Sequence, residues 1–162
     1  MPTARSALRA ALTGSLLPAL QGLGFTGPSS IAGNSLLHEF RRPSQRGNCL
    51  LTVQLEKNGL PRFILSLANE PPGGFEAAVA NGGIVRQGRV QPRRGATTGA
   101  WFRTDHTLLQ RVRRSEEPSA AAVVASCVAL LPEVDGWWQT EAPSEHITVL
   151  ETNFPGQQRA VA

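Results

Sequence analysis

The alternation in Cys49-Leu50-Leu51-Thr52-Val53-Gln54-Leu55-Glu56 constrains this chain more than any other feature. A period of two puts Cys49, Leu51, Val53 and Leu55 on one face of a β-strand and Thr52, Gln54 and Glu56 on the other. A second run, Arg62 to Ala68, repeats the pattern with Phe63, Leu65 and Leu67. Between them lies Asn58-Gly59, a strong hairpin signal. A two-residue turn there would set Gln54 against Phe63, one strand's polar face against the other's apolar face. A three-residue loop, Lys57 to Gly59, pairs Val53 with Phe63 and Leu51 with Leu65, so both apolar rows share a side. A one-residue slip inverts every side chain. The three-residue loop is therefore expected, with Gly59 left-handed at a bulge. The preceding strand, Ser35 to Arg42, carries Leu36, His38 and Phe40 on one face and Leu37, Glu39 and Arg41 on the other. The turn cluster Pro43 to Asn48 completes a three-stranded meander over Ser35 to Ala68.

The flanking elements follow from periodicity and breakers. Leu8, Leu12, Leu16, Leu20 and Leu23 predict a helix over Thr3 to Leu23. Pro18 either kinks it or sits in the first turn of a second helix starting at Ser15. Gly22 to Phe25 closes it, and Thr26 to Asn34 is expected as a loop. Phe75 to Ala80 has room for one or two helical turns. Ile84 to Gln91 is a candidate fourth strand whose outer face would carry Arg86 and Arg89, and Trp101 to Arg103 a short fifth. Asp105 is placed to cap a short helix bearing Leu108, Leu109 and Val112. Ser115 is placed to cap a helix with Glu116 and Glu117 at its positive end and an apolar stripe from Ala120 to Leu131, stopped by Pro132. Trp137 and Trp138 fall in a loop or short extended segment, and His146 to Leu150 has strand character. The expected fold is α+β: a single antiparallel sheet of four to six strands, with N-terminal and C-terminal helices packed on one face. Residues 1–153 form the single domain and 154–162 a loose polar tail.

Length supports one domain, since 162 residues bury a sizeable core without staples. Cys49 and Cys127 both fall on apolar faces, which suits buried free thiols and a reducing, cytoplasmic compartment. The net charge of +4 is modest for this length. All basic residues but Lys57 are arginine, which suits either a nucleic-acid surface or a compositional bias. No stretch reaches the ~18 apolar residues of a membrane span, so no membrane partner is expected. The first 38 residues contain no acid. Arg5 and Arg9 before a leucine-rich run weakly resemble a targeting peptide, but Gly14, Pro18 and Gln21 interrupt it, and an amphipathic first helix is the better account.

Several short elements together resemble a bacterial family of small α+β proteins known only as a domain of unknown function. They are Leu23-Gly24-Phe25 closing the first helix, the strand element Phe40-Arg41, Val53-Gln54 in the middle strand, and Trp101-Phe102-Arg103. The likeness covers residues 5 to 135, and the glycine-rich segment 81 to 99 has no counterpart in it. It implies a sheet with helices on one face and no particular activity.

Candidate chemistry is sparse. His38, Asp105, His106 and His146 are the raw material for a metal or acid–base site, yet no pair has a metal-type spacing. As ordinary structural groups, His38 is a partly buried histidine on the apolar face and Asp105 a helix cap. A nucleophilic Cys49 or Cys127 would need a histidine in reach and a polar setting. Arg93 to Ala100 lacks the Gly-Lys-Ser/Thr ending of a phosphate loop. No cofactor and no metal are expected. Arg86, Arg89, Arg93, Arg94 and Arg103 beside Trp101 suit phosphates and stacked bases of a single strand. Trp137 and Trp138 suit a protein contact. The expected function is a non-enzymatic binding or regulatory module acting through a protein partner, of immunity or adaptor type. The alternative is single-stranded nucleic-acid binding through residues 86–103.

Overall fold

The computed structural model describes residues 2–31, 33–94, 101–106, 116–153 and 157–161, those after 151 by backbone alone. Eight antiparallel strands make one sheet: β1 (Thr26–Ile31), β2 (Asn34–Ser44), β3 (Gly47–Leu55), β4 (Arg62–Glu70), β5 (Val85–Val90), β6 (Phe102–Arg103), β7 (Ile147–Asn153) and β8 (Gln157–Val161). Their spatial order is β1-β2-β3-β4-β5-β7-β8. The short β6 shares an edge of β4 with β5: β5 pairs with Leu65 to Ala68, β6 with Arg62 and Phe63. The helical elements are α1 (Ala4–Ala11), a π-helical turn (Leu12–Leu16), α2 (Leu17–Gly22), α3 (Gly74–Ala80), α4 (Ala120–Val128) and α5 (Leu131–Thr140).

The meander keeps the expected faces but not the expected register. Val53 pairs with Leu65, Leu51 with Leu67 and Leu55 with Phe63. The slip from the expected pairing is two residues, which leaves every side chain on its own side. The loop lengthens to Lys57–Pro61 because Glu56 organises it. Its carboxylate is only 5% exposed. It accepts hydrogen bonds from the backbone N–H groups of Asn58 (2.7 Å) and Leu60 (3.1 Å) and from the Asn58 amide (2.8 Å). The Glu56 N–H then donates to Arg62 O, the first ladder bond beyond Pro61, which has no N–H to give. Gly59 is left-handed, at φ +88°, as the turn signal requires.

Pro18 takes the second of its two expected places, the first turn of a second helix, but that helix starts at Leu17 rather than Ser15 and follows a π turn. Leucines four apart drift by about 40° per step around a 3.6-residue helix. The π turn advances each residue by less and offsets that drift. Leu8, Leu16 and Leu20 are all buried. Leu17 N–H donates to Leu12 O, five residues back. Pro18 falls in the first turn of α2, directly after the π turn.

Four further expectations are corrected. Thr26 to Ile31 is an edge strand rather than loop; its bulges and Pro28 had masked it, features that edges tolerate. The later helix starts at Ala120, not after Ser115, because Ser119 caps it and Pro118 holds the preceding backbone extended. Pro132 ends no helical structure; it sits at the start of α5, which carries Trp137 and Trp138 as helical residues. Gln157 to Val161, expected as loose tail, pairs with β7 as an eighth strand. The proposed short helix after Asp105 lies outside the described residues.

One face of the sheet carries the core. Onto it pack α1, the π turn, α2, α4 and α5, through Leu8, Leu20, Val124, Cys127, Val134 and the two tryptophans. At its centre Phe63 stacks on Phe102 at 5.0 Å. Run together, Ala120–Thr140 is long and apolar enough by length and composition to cross a membrane. Its buried apolar side chains, among them Val123, Val124, Cys127, Leu131, Val134 and the two tryptophans, belong to the core here. On the opposite face Leu50 and Ile64 are also buried, so they offer no exposed apolar patch; Leu60, in the turn, is 40% exposed.

Candidate functional site

The helical cover over β1–β3 is incomplete, and it leaves an apolar pocket of about 250 Å³. One wall comes from the first helix: Arg9 on α1, Leu12, Thr13 and Leu16 on the π turn, and Leu17 on α2. The floor comes from the sheet: His38 and Phe40 on β2, Val53 and Leu55 on β3. Pro28 of β1 closes the side. The pocket sits where the helix is widened, and π turns in α-helices often mark functional positions. Arg9, Thr13 and His38 are the polar groups that could orient a ligand, and no acid lines the cavity. Arg9 forms no ion pair among the described residues.

A second, polar groove of about 570 Å³ lies at the other end of β2 and β3, beside α5. Of the two arginines that line it, Arg46 is exposed and Arg42 is engaged within the fold. The Arg42 guanidinium lies 4.7 Å from the Phe25 ring centre and 5.3 Å from that of Trp138. It donates to Leu23 O at 3.0 Å and pairs with Asp135 at 2.7 Å. This residue ties the end of α2 to α5 and works as a strut.

The arginines expected to act together divide between the two faces: Arg89 and Arg103 share one and Arg86 lies on the other. Arg86 and Arg89 are three apart on β5, so the pleat turns them to opposite faces. Arg86 lies on the helical side, paired with Glu151 at 2.9 Å. Arg89 lies on the other face between Ser66 and Thr148, half-buried, and burial alone lowers its pKa. Arg93 is exposed beyond β5, and Arg94 pairs with Glu145. Arg103 donates to Asp105 (3.1 Å) and to His106 O (3.2 Å), so Asp105 anchors Arg103. Trp101 is half-buried, with the Arg62 guanidinium 5.2 Å over its ring.

Trp137 and Trp138, expected at a contact surface, are 2% and 3% exposed and belong to the core. Trp138 donates from its indole to Ala68 O at 3.2 Å and packs on Phe25. Trp137 lies over Gly88, where a Cβ would come within 2.9 Å of its ring.

The histidines are scattered. His38 is in the pocket floor and His106 beside Arg103. His146 hydrogen-bonds Glu133 at 2.8 Å through Nδ1. Glu133 also accepts from the Ser144 hydroxyl and from the His146 N–H at 2.7 Å. Burial pushes the Glu133 carboxyl up, but these hydrogen bonds outweigh it and the net shift is downward. Glu133 sits between serine and histidine, so Ser144 Oγ has no imidazole drawing its proton. The cluster fastens the start of α5 to β7. Both cysteines are buried and free, and burial pushes the Cys127 thiol up to about 12, which disfavours the nucleophilic thiolate. Among the described residues no group of three or more His, Cys, Asp or Glu could hold a metal.

No protein-family model, characterised protein or solved structure matches this chain. Sequence reasoning named His38 and the leucine stripe but missed the pocket they form. The available signal was the conflict between Pro18 and a leucine spacing of four, which together ask for a widened turn.

Proposed function

We propose that this protein is a non-enzymatic binding module acting on a protein partner, as an immunity-type or adaptor protein does, and that the partner docks at the pocket between α1 and β2–β3. The observation that carries the reading is an open apolar cavity of about 250 Å³ with an arginine at its rim. Interfaces gain most of their energy where an apolar anchor fills such a depression and excludes water. Kinship with the uncharacterised α+β family belongs to the same proposal.

The test is affinity capture from a lysate of the source cells, comparing wild type with Thr13→Trp, which fills the cavity from its helical wall. A polypeptide retained by wild type and lost with the variant supports the reading. Equal retention by both overturns it.

One observation keeps the nucleic-acid reading as a second proposal. Arg62, Arg89, Trp101 and Arg103 share the sheet face opposite the helices. A salt series with labelled single-stranded RNA and DNA tests it. Steeply salt-dependent binding, lost on joint substitution of Arg89, Arg93 and Arg103 by Ala, supports it; no binding at low salt removes it.

A further inference from the structure

We infer that the segment seated in this pocket is acidic: a peptide of the partner that places one large apolar side chain in the cavity and an aspartate or glutamate within a residue or two of it. The inference rests on the pocket being the docking site, and it adds what kind of partner fits.

Volume comes first. Sites that enclose a whole drug-sized ligand run from ~300 to ~1,000 Å³. About 250 Å³, open at the mouth, holds a large side chain or two and leaves the rest of its owner outside. That favours an anchor residue on a chain over a free apolar molecule.

Charge comes second. The wall holds one guanidinium and one imidazole and no carboxylate. The chain contributes no acid before Glu39, so α1, the π turn, α2 and β1 are all without one. Elsewhere Arg41, Arg42, Arg86 and Arg103 each meet an internal acid. Arg9, like Arg5, Arg46, Arg89 and Arg93, meets none among the described residues, and it alone of these stands exposed at the mouth of the apolar pocket. A carboxylate beside the anchor would form a charge-assisted bond there, at the edge of an apolar surface that weakens competition from water. A lysine or arginine in the same place would face Arg9 and raise the cost of approach.

The experiment uses short fluorescent peptides with a central Phe-Leu pair, flanked either by Asp and Glu or by Lys and Arg. A third peptide keeps the acids and replaces Phe-Leu by Ala-Ala. Anisotropy is read against wild type, Arg9→Glu and Thr13→Trp. Only the acidic Phe-Leu peptide is expected to bind wild type. Arg9→Glu, an exposed change that leaves the core alone, should weaken it about tenfold and admit the basic peptide. Thr13→Trp, checked for folding by circular dichroism, should abolish binding. Equal or better binding of the basic peptide to wild type, or no binding of the acidic one, overturns the inference. Lysate capture with Thr13→Trp needs no peptide, so it reports separately whether the docking site itself stands. Displacement by decanoate at concentrations below those of competing peptide would assign the pocket to a free amphiphile. A wild-type dimer in sedimentation that Thr13→Trp dissolves would assign it to a second copy. Either result overturns the inference.

Discussion

The same sheet face is covered twice, and the two covers differ. Over β4, β5 and β7 the fit is close. Trp137 lies against the bare backbone of Gly88 and the side chain of Ile147, and Trp138 is pinned to Ala68 O. Over β1–β3 the helix carrying the π turn bridges the sheet, burying Leu8, Leu16 and Leu20 while leaving the cavity beside Leu12, Thr13 and Leu17. Both covers are apolar, so hydrophobicity does not separate them. Packing does: in one region a Cβ added at Gly88 would collide with Trp137 and Ile147, and in the other there is room for a side chain from outside. On the proposed reading, the docking site is a place where the core is left unfinished.

The largest expected contrast is between truncations in the two regions. Leu131→Ala, in the close-fitted cover, should lose about 2–5 kcal/mol. Leu12→Ala, half-buried beside an existing void, should lose less than about 1 kcal/mol, since its removal opens little new cavity. Urea unfolding of both reads this directly, and equal losses would break the distinction. Next in size is Gly88→Val. Its Cβ would meet Trp137 at 2.9 Å and Ile147 at 3.2 Å, and overpacking of this kind costs about 1–3 kcal/mol. A variant with unchanged melting temperature would show that the tryptophan is free to move.

Glu133→Gln probes the fastening of α5 to β7, at about 1–2 kcal/mol for a charged acceptor of three hydrogen bonds in a partly exposed site. Its folded carboxyl titrates below the ordinary range, so it binds fewer protons folded than unfolded. The stabilisation is therefore complete above the unfolded carboxyl pKa and lost as pH falls through the folded one. The gap between wild type and variant in thermal melts should be full at pH 7 and close in acid; a gap constant with pH would contradict the assignment. The smallest effect is Gly14→Ala in the π turn. Nothing lies within 4 Å of the added methyl group, so a gain of up to about 1 kcal/mol is expected from helix propensity alone. A loss in the melt would mean that the widened turn needs glycine.

Much of the sheet was legible because strand faces obey a period of two. Cys49, Leu51, Val53 and Leu55 face the core, as alternation requires, and so do Phe63, Leu65 and Leu67. Register was not legible to the residue, because it was decided by the buried Glu56 carboxylate, a polar group that looks like any solvated acid in a strand pattern. The edge strand β1 was illegible for the opposite reason: edges are built from the residues that break strands. The tryptophans misled because a Trp-Trp pair carries no sign of which side of it will meet a glycine.

By itself the sequence determined the fold class, the meander, the apolar first helix and the acid-free N-terminal part, since these rest on local periodicity and on charge that any reader of the chain can count. Only the tertiary structure decided that Arg86 and Arg89 part to opposite faces, that Arg42 is a strut, and that Arg9 and His38 meet across a cavity. Those outcomes depend on how a widened helix lies across a twisted sheet. The distances involved span elements far apart in the chain, and no local pattern encodes them.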